Sequence, residues 1–212
     1  MSFSSLNLQD FSDSLSRNSP APGGGSVSAI AGNTAASLIQ MVAGLTKGKN
    51  YAAVAAEMKE IIDKTEKLRQ AFFKAADDDS ESFQQVMHAF SLPRDSEREK
   101  QIRRETIQEK MKQAALAPFQ TAEMGVSLFP LIQEVIKIGN KNAVTDALVA
   151  SLCAATTVLG AAFNVQINLQ SIEDETFVSE YSQKVKRMVQ EVLRIEKEIL
   201  LESSVSKTLV QR

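Results

Sequence analysis

The stretch 147–172, ALVASLCAATTVLGAAFNVQINLQSI, decides the fold. It carries no charged residue, and the stretch from Ser26 to Thr46 is its counterpart. Both reach the roughly 20 residues that cross a bilayer. Their content argues against a crossing. The first holds Ser26, Ser28, Asn33, Thr34, Ser37 and Gln40, and the second ends with Asn164, Gln166, Asn168 and Gln170. Polar groups in hydrocarbon are costly unless paired, and membrane spans are richer in Leu, Ile and Phe. The two stretches therefore predict central helices, buried on most sides, whose Ala, Gly and Ser let neighbours approach closely. No membrane partner is expected. Residues 164–170 alternate in the pattern of a half-buried strand. Nothing else in the chain offers a partner strand, and a lone strand leaves its backbone groups unpaired, so helix is expected there too.

Outward from these stretches, only five prolines interrupt the 212 residues, and long proline-free segments favour helix. Leu8, Phe11 and Leu15 space a short first helix. Residues 19–25, SPAPGGG, form a loop, with Ser26 as N-cap of the helix that follows. A long helix is predicted from about Tyr51 to Phe90, ended by Leu92-Pro93. Ser96 and Glu99 make a capping box. Its helix is expected to stop near Ala117, with Pro118 opening another that ends near Ile138. Gly139-Asn140 is a turn or a left-handed cap. The last helix, about Glu173 to Ser203, carries Phe177, Tyr181, Val185, Met188, Val192, Ile195 and Ile199 at three- and four-residue steps. No repeat or linker divides the chain. The expectation is one all-α domain over 1–212, an up-and-down bundle of about six to eight helices with two central helices rich in small residues.

Composition narrows the function classes. Hydrophobic residues make up 43% and charged residues 24%, as in a globular domain. Lys plus Arg is 24 against 26 Asp plus Glu, which gives no electrostatic reason for nucleic acid as a partner. A single cysteine, Cys153, fits a reduced cytoplasmic setting. A single histidine, His88, excludes a multi-histidine metal centre, and no metal site is expected. The opening ten residues lack a basic segment followed by an apolar run, so no secretory signal is expected.

One acid breaks a pattern. The apolar stripe of the long helix runs Ile61, Thr65, Leu68, Phe72, Ala76, then Phe83, Val86, Phe90. The position it requires in between is Asp79, while Asp77 and Asp78 fall in other directions. An inward carboxylate without a partner costs several kcal/mol. A chain keeps one for a hydrogen-bonded structural role, or for a cleft that needs an acid or base with a raised pKa. Other candidates have two readings each. Gly23, Gly24 and Gly25 ahead of Ser26 let backbone approach a ligand, or make a plain turn, and they lack the lysine of a phosphate loop. Asp146 either complements a helix start or faces a site. Asn164 and Asn168 share a helical face and can bond a heterocycle or be satisfied within the core. Arg94, like Lys47, Lys49, Lys137 and Lys141, lies at a helix end or loop and can attract an anion.

Taken in order, several blocks resemble one family. They are residues 20–27 (PAPGGGSV), 45–48 (LTKG), Asp79 with Phe83, 92–94 (LPR), 97–104, 139–146 (GNKNAVTD) and 163–168 (FNVQIN). The set is similar to the cyclodeaminase/cyclohydrolase family, which includes the C-terminal domain of formiminotransferase-cyclodeaminase and stand-alone bacterial methenyltetrahydrofolate cyclohydrolases. The resemblance spans about Leu6 to Leu201. It implies a helical homodimer acting on one-carbon tetrahydrofolates, with no cofactor beyond the tetrahydrofolate substrate. It also implies that Asp79 is the catalytic carboxylate. Asp146, Asn164 and the glycine loop match motif positions and are the implied folate contacts. Arg94 stands where the family usually has Lys, and Lys49-Asn50-Tyr51 replaces a longer basic run. The cyclodeaminase reaction is the first expectation and the cyclohydrolase reaction the alternative. A non-catalytic helical scaffold is the alternative of another class.

Overall fold

The computed structural model describes residues 5–210; residues 1–4, part of the stretch tested above for a secretory signal, lie outside it. It is helical throughout, as expected. Helix α1, Leu8–Leu15, starts where the Asn7 side chain accepts from the Asp10 N–H. Helix α2 is Gly24–Leu45, followed after Gly48 by a 3-10 turn, Lys49–Val54, and by α3, Ala55–Phe90. Gly48 needs to be glycine, since its φ is +96°. Helix α4 is Glu97–Ile138, opened by the expected Ser96–Glu99 capping box. Helix α5 is Val144–Leu169, α6 is Glu175–Glu202, and α7 is Lys207–Val210. Residues 164–169 are thus helical.

Helices α2 to α5 close a ring in which each packs on the next and α5 returns beside α2, while α6 covers α4 and α5. Short connections make consecutive helices antiparallel. The core between them holds Ile39, Phe72, Leu128, Phe129, Ile132 and Val158, all buried. A second cluster under α6 holds Phe119, Val165, Leu169 and Val185, with Phe177 and Tyr181 against it. Small residues set the spacing. A Cβ on Gly32 would fall 2.4 Å from the Phe72 ring, one on Gly160 2.3 Å from the Ser28 hydroxyl, and one on Gly125 2.7 Å from Val158.

Helices α2 and α5 are long and apolar enough to cross a membrane by length and composition, yet 50% and 56% of their apolar windows are buried within the fold. That is the pattern of core helices.

Four local expectations are corrected. Gly23, not Ser26, caps α2, which starts at Gly24 and places Ser26 fully buried in its first turn. The long helix proper begins at Ala55, because residues 49–54 wind as the 3-10 turn. Gly139 is extended (φ −80°, ψ −178°), not left-handed; a Cβ there would meet the Val135 carbonyl oxygen at 2.2 Å. Pro118 does not divide α4, which runs unbroken through Pro118 and Pro130. Proline removes the N–H that would serve the carbonyl four residues back. That carbonyl belongs to Ala114, and the Asn168 side-chain amide of α5 donates to it at 2.7 Å. The helix survives because a neighbour supplies the missing donor.

Replacing Gly32 by Ala drives a methyl into Phe72, an overpacking that costs about 1–3 kcal/mol. Denaturant unfolding monitored by circular dichroism is expected to show that loss; unchanged stability would contradict the close α2–α3 contact.

Candidate functional site

At the end of the ring where α2 begins and α5 finishes, a cleft of about 260 Å3 opens. The 20–25 loop and the start of α2 form one wall through Pro20, Ala21, Gly23, Gly24 and Gly25. Helix α3 supplies Asp79, Ser80, Ser82, Phe83, Val86, Met87 and Phe90, α4 supplies Met111 and Ala114, and α5 supplies Asn164 and Asn168. Asp79 is the one ionisable side chain among these lining residues. Phe83 and Phe90, which the stripe would bury, are instead 37% and 43% exposed because they turn toward this opening.

The α2 start explains how Asp79 is held. A helix leaves its first N–H groups without intrahelical partners, and Gly23 has no side chain to serve them. The Asp79 carboxylate, arriving from α3, takes that place: the Ser26 hydroxyl donates to Oδ2 at 3.0 Å, and the Ser26 N–H also bonds the carboxylate. The approach demands glycine, since a Cβ on Gly25 would sit 2.0 Å from Asp79 Oδ1. Burial pushes the Asp79 carboxyl above its usual range, and the two Ser26 hydrogen bonds hold it back in part. Its neighbours diverge. Asp78 turns outward to an ion pair with Lys74.

Of the sequence candidates, the structure brings together Gly23, Gly24, Gly25, Asp79, Asn164 and Asn168. Ser26 lies behind them, bonded to Asp79 and with no exposed surface. Asn164 donates to the Gly160 carbonyl at 2.8 Å, as Asn168 does to Ala114, which leaves each amide oxygen for a ligand. Two candidates are not brought in. Asp146 is in the first turn of α5, 18 residues before Asn164 and so about 27 Å away along the helix. Arg94 is exposed in the α3–α4 connection and lines no part of the cleft. Ser80, Met87 and Met111 were missed. Ser80 had a signal in its adjacency to Asp79; Met111 had none, since it reaches the cleft only through the α3–α4 packing. Among the described residues no group of three or more His, Cys, Asp or Glu is placed to hold a metal.

Asp79 is thus an enclosed acid, held on one side by a helix start and open on the other to an apolar-walled cleft, an arrangement with the chemical capacity to exchange a proton with a bound neutral or cationic ligand. Comparison with known proteins places the chain in an enzyme family. Residues 7–187 match the family model described as formiminotransferase-cyclodeaminase, and the chain belongs to that family. Over 185 residues it is 35% identical to a methenyltetrahydrofolate cyclohydrolase of Methylorubrum extorquens, covering 87% of this chain and 89% of that protein. It is 32% identical to the pig formimidoyltransferase-cyclodeaminase, again over 87% of this chain but only 34% of the longer relative. The crystal structure of a formiminotetrahydrofolate cyclodeaminase from Thermotoga maritima superposes with a TM-score of 0.81 at 29% identity, covering 98% and 99% of the two chains.

The raised Asp79 pKa has a consequence for stability. A carboxyl whose pKa is higher folded than unfolded binds more protons in the folded state, so the fold loses stability as pH rises through that window. Asp79→Asn, which cannot ionise, is expected to melt above the wild type at pH 8, with the gap closing as pH falls to 4. A variant that melts lower at pH 8 would contradict the enclosure of the charge.

Proposed function

We propose that the chain is a formiminotetrahydrofolate cyclodeaminase in which Asp79 moves the proton. The observation that carries this reading is the single ionisable group of the cleft, facing apolar walls with two asparagine amides opposite. At about 260 Å3 the cleft is just below the roughly 300–1,000 Å3 of pockets that enclose a whole ligand. It takes the ring end of a folate, with the remainder leaving past Phe83, Met87 and Phe90.

The formimino group in its protonated form is an amidinium. N10 attacks its carbon, the C–N10 bond forms, and the N10 proton passes to the Asp79 carboxylate. The neutral tetrahedral centre then receives that proton on the former imino nitrogen. The C–N bond breaks, ammonia leaves, and the methenyl cation remains beside the regenerated carboxylate. One proton makes a round trip, so one acid suffices, and a pKa lifted by burial brings it closer to the working pH. The negative carboxylate stabilises the cationic product.

A second reading has its own support in the 35% identity with the M. extorquens cyclohydrolase, which is matched over nearly its full length. Here water adds to the methenyl carbon of 5,10-methenyltetrahydrofolate and gives its proton to Asp79. Asp79 returns it to N5 as the C–N5 bond breaks, and the remaining hydroxyl proton goes to solvent as the formyl group forms. Both readings use the same acid and the same cation.

The working form in this proposal is a cytoplasmic homodimer. Adjacent helices α2 and α5 present Val27, Met41 and Leu45, and Val149, Leu152, Phe163 and Ile167, with 39–70% of each exposed. No charge occurs between 26 and 46 or between 147 and 172. A strip about 33 Å long (22 residues at 1.5 Å) and about 20 Å wide approaches the roughly 800 Å2 per partner of a standard interface. An uncharged face meets a copy of itself without like-charge repulsion.

Two outcomes are expected. Mixing the protein with 5-formiminotetrahydrofolate generates the methenyl near-ultraviolet absorbance, and Asp79→Asn lowers that rate about 10²–10⁴-fold. Loss of absorbance from 5,10-methenyltetrahydrofolate alone would assign the cyclohydrolase reaction, and no change with either substrate would end both readings. In sedimentation, the wild type is expected at twice 23.2 kDa and Phe163→Asp at the single-chain mass. A wild-type monomer would contradict the dimer.

A further inference from the structure

Asp79 alternates between ionised and protonated forms in the proposed reaction, and this inference rests on that reading. A group that changes its proton while enclosed needs partners that suit both forms, because an unsatisfied buried polar atom carries a large penalty. Behind the carboxylate lie two buried hydroxyls. Ser26 Oγ is 3.0 Å from Asp79 Oδ2, 3.3 Å from the Ala76 carbonyl oxygen and 3.3 Å from Ser80 Oγ. Ser26 has no exposed surface and Ser80 has 9%. The Ser26 hydroxyl has one proton and three acceptors within reach. The other cleft-lining residues from α2, α4 and α5 carry no charge, and on α3 the nearest ionisable neighbours are Asp77, Asp78 and Glu81, of which Asp78 is paired with Lys74. Among the described residues, no other ionisable side chain lines the cleft.

We propose that Ser26, backed by Ser80, is a positioning residue that reverses its hydrogen bond as Asp79 gains and loses the transferred proton. With Asp79 ionised, Ser26 donates to Oδ2 and accepts from Ser80. With Asp79 protonated on Oδ2, the acid donates to Ser26, whose proton turns to the Ala76 carbonyl. No proton is exchanged with the serines; only the direction of donation changes. Ser26 has no exposed surface and does not line the cleft, so it leaves the candidate contacts and becomes the support of the acid. The glycine at 25 fits this arrangement, since it lets Asp79 come close enough to the α2 start for the hydroxyl to reach it.

The test compares wild type, Ser26→Ala, Ser26→Cys and Ser80→Ala as full chains, with Asp79→Asn to identify the Asp79 signal. The Asp79 pKa is read by carbon NMR titration without substrate, and the pH profiles of kcat and KM by the methenyl absorbance. Ser26→Ala removes a donor to the ionised form, so the Asp79 pKa is expected to rise and the acidic limb of kcat to move up with it. The plateau kcat is expected to fall about 10–100-fold, the loss of one hydrogen bond to a charged group, with KM within about threefold. Ser26→Cys and Ser80→Ala are expected to lie between, and they carry the test if Ser26→Ala fails to fold. An Asp79 pKa and profile identical to wild type in folded variants would overturn the proposal. A shifted Asp79 pKa in a protein whose Asp79→Asn form is fully active would overturn the catalytic reading and leave the hydrogen bond standing.

Discussion

The contact between Asp79 and the first turn of α2 ties the structure together. A carboxylate on one long helix supplies the partner that the start of another lacks, at a point where only glycine permits the approach. The same contact fixes the crossing of α2 and α3, closes the back of the cleft and sets the proton affinity of its one acid. Opposing effects are balanced there. Burial disfavours the charge, and the Ser26 donors and the positive end of the helix favour it. The outcome is a raised pKa rather than a neutral, inert acid or a fully solvated one.

The bundle around this contact depends on close approach. Gly32, Gly125 and Gly160 stand where a methyl would collide with a facing side chain, so α2 with α3, α4 with α5 and α2 with α5 sit nearer one another than Leu-rich helices would. This accounts for two long helices that are uncharged, rich in Ala and Gly, and packed into the core of the bundle. Their inner faces are buried by neighbours, and their outer faces remain as an apolar strip suited to a second copy. The cleft lies at the end of the same two helices, so the elements that position the acid also carry the proposed interface.

Much of this was legible in the sequence. The helical period located α3, and the gap that Asp79 fills in its apolar stripe marked the acid without any knowledge of the fold. The capping box at Ser96 was readable because its two halves are local. What failed was non-local. Pro118 reads as a helix end because the donor that rescues Ala114 comes from Asn168, 54 residues away. Ser26 reads as an N-cap because residues of its type favour that place, whereas its actual partner is Asp79 on another helix. Asp146 and Arg94 share ordered motifs with the cleft residues, yet motif order carries no distance, and helix length alone separates Asp146 from the acid. Met111 is an ordinary apolar position until α4 is packed against α3.

The most direct measurement is a crystal structure of the protein with a stable tetrahydrofolate bound. The account predicts the pterin in the cleft between the 20–25 loop and Phe83, with N5 and N10 flanking a point within about 3 Å of an Asp79 oxygen. A pterin seated elsewhere, such as the outer groove of α3 and α4 beside Lys74 and Gln120, with Asp79 beyond reach of both nitrogens, would contradict it.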